Sequence, residues 1–524
     1  EIRPKDLLEL VGSAVGFYEK WLGRYPLDEM TVVTVPRFFS QGAMGMVSLS
    51  GYVLAARKEF LDYIGEADGR ELMAHEIAHQ WWGGLVGWKS YRDQWISEAL
   101  ASYSAMRFAQ ENLKRRPGVP LGLVANWRAE VGRVTRSGRT VDELGPLVLG
   151  RRLNSSLDDV GAYDFIVYKK GPVVVNTLAA TYPYAWRFDI GLQAIIVASR
   201  NRRLTSEEFV DLCNKAGGAD FTPLARQFIY ATGLPDVYYD YDVVQTAPGK
   251  WTVKGKAEIV NGANYRFSLQ RAPNGTIDLR RTPVERPVPD DYVLPAPLTI
   301  EVETGNGGKE RGEVSGRLLL RGAETRFEFP LDRRPSRLWL DRGSEVYGLF
   351  HSEKDDPKRA LFRRAGVAAD RGDVEEAEKL FRETVRAKIS TEPAMNEAEA
   401  SARRIQSDLV TDLAWQELAR LYMDTDRLPQ AEAALASADN SDQEFYGRLR
   451  VRQQLLRARL LLLQGRADKA FDLLAEKFDG AGKPKDAEAQ ALLAIAAKQT
   501  NHLDDYERAR RIAVRGGADL SLLQ

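Results

Sequence analysis

Only one cysteine, Cys213, occurs in 524 residues. A disulfide framework is thereby excluded, and Cys213 reads as a small apolar packing residue. Excess charge of either sign is also missing: 74 basic side chains face 74 acidic ones, so nothing in the balance asks for nucleic acid or another polyelectrolyte as partner. No apolar run is long enough to span a bilayer, and no signal peptide is visible. Histidine is scarce, with four in the chain: His75, His79, His351 and His502. Two of those four stand one helical turn apart, a concentration that points to chemistry.

What is present is 44% hydrophobic residues, sufficient for several cores, in a length that suits three domains. The informative stretch is His75-Glu76-Ile77-Ala78-His79, followed by Glu98. Residues four apart on a helix share one face, so both imidazoles converge on one point with Glu76 beside it. Local signals predict that helix: Asp68 as N-cap with Glu71 three residues on, apolar Leu72, Ile77 and Ala78, and a stop at Gly83-Gly84. A second helix is expected from Trp95 to Leu113, opened by Ser90 and Asp93 and closed by Lys114-Arg115-Arg116-Pro117-Gly118. Folding back antiparallel, it would bring Glu98 to the histidines. Two imidazoles and one carboxylate leave a fourth position for water, the pattern of a catalytic zinc site with one Zn2+ per chain. A lone histidine is more often a satisfied core or surface residue; the pair with an intervening glutamate favours metal.

These residues resemble the zinc metallopeptidases typified by aminopeptidase N and leukotriene hydrolase, which are gluzincins. His75 to Gly83 is similar to that family's zinc helix through nine positions, Glu98 falls nineteen residues beyond His79, and Ala101-Ser102-Tyr103 continues the likeness. Tyr168-Lys169-Lys170-Gly171 resembles the family's Tyr-x-Lys-Gly block. Gly23-Arg24-Tyr25-Pro26 and Gly42-Ala43-Met44 resemble the start of its catalytic domain and its substrate-side strand. The likeness covers about residues 10 to 235. It implies a thermolysin-like domain in which His75, His79 and Glu98 bind zinc, Glu76 is the general base, and Tyr168 donates a hydrogen bond to the oxyanion. Gly42, Ala43 and Met44 would run along a peptide or protein substrate. Tyr163, five residues before Tyr168, either lines the cleft with them or packs as a buried aromatic. Asp93 either orients a ligand imidazole or supplies charge at a helix start.

The departures bear on specificity. The family follows Gly-Ala-Met with Glu-Asn, whose glutamate holds the substrate's amino terminus, whereas this chain reads Gly45-Met46. A lost charge-assisted hydrogen bond is worth roughly 1.5 to 3 kcal/mol, so the expectation is a zinc peptidase with weakened aminopeptidase character, an endopeptidase being one outcome. Ser97 stands where the family usually has asparagine. The β-rich domain that the family places ahead of the catalytic one is not seen here; a fragment of a longer or processed protein, or a more open cleft, would account for that, and the missing initiator Met favours the former.

Along the chain the pattern changes twice. Residues 1–235 mix elements: an amphipathic helix carrying Leu7, Val11, Ala14, Val15, Tyr18 and Leu22, a strand from Thr31 to Val35, and a Thr205/Glu208 capping box; Phe221 to Gly233 resembles the family's closing helix. Residues 236–352 alternate apolar and polar, as at Phe267 and Leu269, Leu298, Ile300 and Val302, and Leu338 and Leu340, which predicts a β-sandwich. Residues 353–524 read as α-helical repeats of tetratricopeptide-like, solenoid form: Gly372, Asp426 and Gly465 each precede an alanine, Ala377, Ala431 or Ala470, by five. The expected class is therefore a multidomain α+β protein. Its helical region would cover the cleft or bind a protein partner. The alternative to a peptidase is a non-catalytic scaffold that joins a peptidase-like domain to partners through those repeats.

Overall fold

The amphipathic N-terminal pattern forms α1 (Pro4–Leu22), which buries Val11, Ala14, Tyr18 and Leu22 on one side. This computed structural model describes residues 4–523 apart from 38, 52–68, 113–122, 133–139, 156–160, 183, 218, 261–263, 285–286, 305–309, 391–396, 439–446 and 479–486. The expected Asp68 cap and the Lys114 to Gly118 closure lie outside the described residues. Strands β1 (Thr31–Val35), β2 (Gln41–Ala43) and β3 (Met46–Ser50) form a sheet in the order β1-β3-β2, with β2 at its edge. Helix α2 (Gly69–Ala78) carries His75 and Glu76 and leads directly into His79, and α3 (Trp95–Asn112) carries Glu98.

Aromatic packing fixes α2 from behind. Tyr18 donates to the Ala74 carbonyl oxygen at 3.0 Å, its ring meets Trp81 edge-on, and the Trp81 indole N–H reaches the Gly23 carbonyl at 2.8 Å. Tyr18 and Trp81 are fully buried; edge-to-face pairs with satisfied polar tips of this kind are worth about 0.5 to 1.5 kcal/mol beyond burial. The region continues through α4 (Leu123–Val131), a π-helical segment over Phe165–Lys170, α5 (Gly171–Ala180), α6 (Ala185–Ala198) and α7 (Ser206–Gly217). The Thr205/Glu208 box is reciprocal as expected: Thr205 N–H donates to Glu208 at 2.8 Å and Glu208 N–H to the Thr205 hydroxyl oxygen at 3.1 Å. The closing helix is shorter than expected, α8 (Thr222–Phe228), with Pro223 at its start.

Beyond it the chain turns to strands. One sheet joins the segments Asp236–Ala247, Lys250–Val260, Glu324–Leu331 and Leu349–Ser352, and another joins Val293–Thr304, Glu310–Arg321 and Pro335–Leu340. Their inner residues, among them Val237, Val253, Ile300 and Leu338, share one core with the zinc-motif region. The hairpin of Asn264–Arg271 with Ile277–Val284 behaves otherwise. It pairs with neither sheet, and its Leu269 and Leu279 pack into the helical core around Ala458 and Leu492. The remainder is helical, and among the described residues it forms hairpins that begin at Pro357, Glu397, Gly447 and Ala487. Gly372, Asp426 and Gly465 sit at the hairpin turns with positive φ (82°, 58° and 73°), and Ala377, Ala431 and Ala470 are fully buried where the helices meet. Asn501, at φ 63°, makes the fourth such turn without the alanine five residues on. The whole is mixed α+β with a helical C-terminal region.

Candidate metal centre

Contacts between α2 and α3 run in opposite order along the two helices, His75 meeting Ser102 and His79 meeting Ser97, so they are antiparallel as expected. That geometry brings three donors together. His75 Nε2 and His79 Nε2 are 3.1 Å apart, and Glu98 Oε2 lies 3.5 Å from the first and 3.2 Å from the second. Ligands about 2.0 to 2.1 Å from a tetrahedral zinc stand roughly 3.3 Å from one another, so the trio fits the ion. Among the described residues no other group of histidine, cysteine and carboxylate side chains converges this way.

The far side of each imidazole is also held. His79 Nδ1 donates to the Trp82 carbonyl oxygen at 2.9 Å and His75 Nδ1 meets the Ser102 hydroxyl at 3.1 Å, so both Nε2 atoms face the centre. Ser97 donates to the same Trp82 carbonyl at 2.8 Å. Gln94 donates to Glu98 Oε1 at 3.4 Å, the oxygen turned away from His79. Asp93 does not touch a histidine. Its Oδ2 accepts from Ser90 and its Oδ1 from Ser206 N–H and hydroxyl, so it ties the start of α3 to the start of α7. The contacts made by Ser102 and Gln94 escaped the sequence reading, although Ser102 is one turn from Glu98 and Gln94 one turn before it, spacings that put all three on one face.

Glu76 is 5% exposed and beside the trio. Burial raises its carboxyl above the usual value, against the pull of His75 and His79. Burial alone would lower the His79 imidazole, yet Glu98 and Glu76 outweigh it and bring it to about 9. Burial would likewise raise Glu98, but His79 and His75 hold it well below the usual carboxylate range. The Tyr168 phenol is pushed far up, by burial first and by Glu98 second, so its hydroxyl stays a donor. Its ring lies 5.7 Å from that of His75.

A cavity of about 1050 Å³ opens over these groups, lined by Gly42, Ala43, Met44, His75, Glu76, His79, Glu98 and Tyr168. Gly42 is required there: a Cβ would meet the Glu76 carbonyl oxygen at 2.2 Å. Of the two alternatives for Tyr163, the packed one describes its surroundings. It is 7% exposed, stands behind the wall and meets Tyr168 edge-on at 5.8 Å. Gly45, the departure from the family pattern, takes φ 77° in the turn between β2 and β3, and Gln80 braces that turn by accepting from Gly45 N–H and donating to the Ala43 carbonyl, both at 2.8 Å.

A mixed α+β fold with this trio defines a zinc metallopeptidase-like centre, and comparison with known proteins agrees. Residues 8–228 match the Peptidase family M1 domain. A puromycin-sensitive aminopeptidase of Caenorhabditis elegans is 23% identical over 356 residues, 67% of this chain and 33% of that protein. Tricorn protease-interacting factor F2 of Thermoplasma acidophilum is 34% identical over 182 residues, 34% of this chain and 22% of that protein. A solved Legionella pneumophila aminopeptidase A aligns with 98% of this chain and 55% of its own, at 14% identity and a TM-score of 0.47. The chain thus matches a third or less of the length of these curated relatives. Its likeness over residues 8–228 is to the Peptidase family M1 domain, and aminopeptidases are among its relatives.

Proposed function

We propose that this chain hydrolyses peptide bonds, with His75, His79 and Glu98 holding one zinc ion. The observation that carries this reading is the mutual spacing of 3.1, 3.2 and 3.5 Å among their donor atoms. When bound, zinc supplies Lewis acidity, which acidifies water and polarises a carbonyl. The Glu76 carboxylate takes the proton from the attacking water and delivers it to the leaving amine nitrogen. The Tyr168 hydroxyl donates to the oxygen on which charge develops. Gly42 and Ala43, on the edge strand β2, offer backbone groups to an extended peptide, as edge strands do in β-augmentation. With Gly45 in place of a carboxylate, selection for a free amino terminus is weakened, and blocked peptides become substrates.

The domain reading that accompanies this function is 1–235 catalytic, 236–352 a β-sandwich and 353–524 a tetratricopeptide-like solenoid, with the 264–284 hairpin assigned to the helical body against which it packs. The test is product mapping by mass spectrometry on matched free and acetylated peptides. Chelator-sensitive cleavage of blocked peptides, absent in Glu76→Gln, is the expected result. Trimming confined to free amino termini would restore an ordinary aminopeptidase. A protein that neither retains zinc nor cleaves would return the scaffold.

A further inference from the structure

The wall of the cavity carries Glu71, Glu76, Glu98 and Asp164, and besides the histidines two cations, Arg151 and Lys169. Lys169 is engaged by Glu130 at 3.8 Å. Arg151 is not spoken for in this way: among the described residues no carboxylate lies within ion-pair distance of it, and its guanidinium rests over the face of Tyr91 at 5.9 Å. Its position is built rather than incidental. Gly150 adopts φ 55°, and a Cβ there would meet the Tyr91 carbonyl oxygen at 2.4 Å. Only glycine lets the segment press on that backbone, and buried Leu147 and Leu153 pin it on both sides. Behind Arg151 the Tyr163 hydroxyl is buried, with the Tyr168 and Arg151 side chains beside it. Arg151 is exposed on the cavity wall, so its guanidinium is open to an incoming acceptor.

We propose that Arg151 is a specificity residue of the cleft and receives a carboxylate of the peptide substrate. The proposal rests on the peptidase reading above and names its substrate class. A guanidinium matches a carboxylate with two parallel N–H donors, whereas nothing at Gly45 holds an ammonium. Charge selection is thereby inverted, from the amino end of the peptide to an acidic group. That group is either the C-terminus of a short peptide or an Asp or Glu side chain, and the two sources are separable.

Binding without turnover tests it. Zinc-loaded Glu76→Gln protein is titrated, by fluorescence anisotropy, with four acetylated peptides: a neutral sequence as free acid and as amide, and an amidated sequence with one Glu or with Gln in its place. One acidic member is expected to bind at least roughly tenfold tighter than its neutral partner, and the pair that shows this identifies the source. Adding Arg151→Gln should bring that ratio to about one while Kd for the neutral peptides stays put, and Arg151→Lys should retain part of it. Equal binding within both pairs, no binding of any peptide, or a preference that survives Arg151→Gln overturns the proposal. Failure of the peptidase reading is distinct: zinc-loaded wild type would cleave none of the four, whatever the binding ratios.

Discussion

Ser102 and Gly45 show what single residues settle around the metal centre. The Ser102 hydroxyl meets His75 Nδ1 at 3.1 Å and so fixes which imidazole nitrogen faces the ion. Ser102→Ala is expected to weaken zinc binding by about tenfold or more without unfolding the protein, read by competition with a chromophoric chelator. Gly45 poses a different question, since a glutamate there would supply the carboxylate that the family uses as its amine anchor. Its φ of 77° disfavours any side chain by about 1 to 2 kcal/mol, and a new Cβ would lie 2.9 Å from Leu27 Cδ1. Leu27 is 44% exposed and can move aside, so the backbone is the lasting cost. Gly45→Glu should lower the melting temperature by a few degrees and raise the ratio of free to acetylated peptide cleavage; a variant with an unchanged ratio would contradict the role given to Gly45. At this scale the metal trio and Glu76 were legible because one helical turn and one motif encode them. The second shell was not: Ser102, Gln94 and the Gly45 turn owe their roles to neighbours on other elements.

The π-helical segment that carries Tyr168 depends on an anchor supplied from far along the chain. Lys170 and Asp142 are both fully buried and joined at 2.6 Å, Lys170 also reaches the Ala231 carbonyl at 3.2 Å, and Asp142 further accepts from Gly233 N–H and from the Tyr347 hydroxyl. Tyr347 belongs to the strand-rich region, and its own N–H donates to the Thr177 hydroxyl oxygen at 2.8 Å. The β region therefore helps to hold the segment two residues from the proposed oxyanion donor. Tyr347→Phe removes one donor from a buried carboxylate at a cost of about 1 to 3 kcal/mol and should lower kcat more than it raises KM. Lys170→Met leaves that carboxylate unpaired, so a larger loss of about 3 to 5 kcal/mol is expected in urea unfolding. A sequence shows Tyr-x-Lys-Gly but not the widened turn, because an i→i+5 bulge is fixed by such distant contacts and leaves no period of its own. The 264–284 hairpin illustrates the same limit: alternation at Phe267 and Leu269 announces a strand and its buried face, while the partner of that face is set by tertiary packing.

That hairpin is also where the strand-rich and helical regions are riveted together, and its chemistry makes the junction sensitive to acid. Asp278 takes both arms of Arg459, at 2.7 and 2.8 Å, and Arg459 continues to Asp424 at 2.6 Å. Next to it Arg281, Arg420 and Arg452 surround Glu417. Burial would raise the Glu417 carboxyl, but these guanidiniums hold it well below the usual carboxylate range. A carboxyl whose folded value is depressed binds fewer protons in the fold than in the unfolded chain. Its contribution to stability is therefore complete above the ordinary value of 4.5 and drains away as pH falls from there toward the folded value. Removing the charge also strands three guanidiniums against one another. Urea unfolding followed from pH 7 to pH 3 should thus show a loss that begins below about 4.5, with amides of the 264–284 hairpin gaining hydrogen exchange before those of α2 and α3. Glu417→Gln should be less stable at pH 7 and should lose less on acidification than wild type. An unchanged acid slope in that variant would place the acid sensitivity elsewhere and leave Glu417 a packing residue.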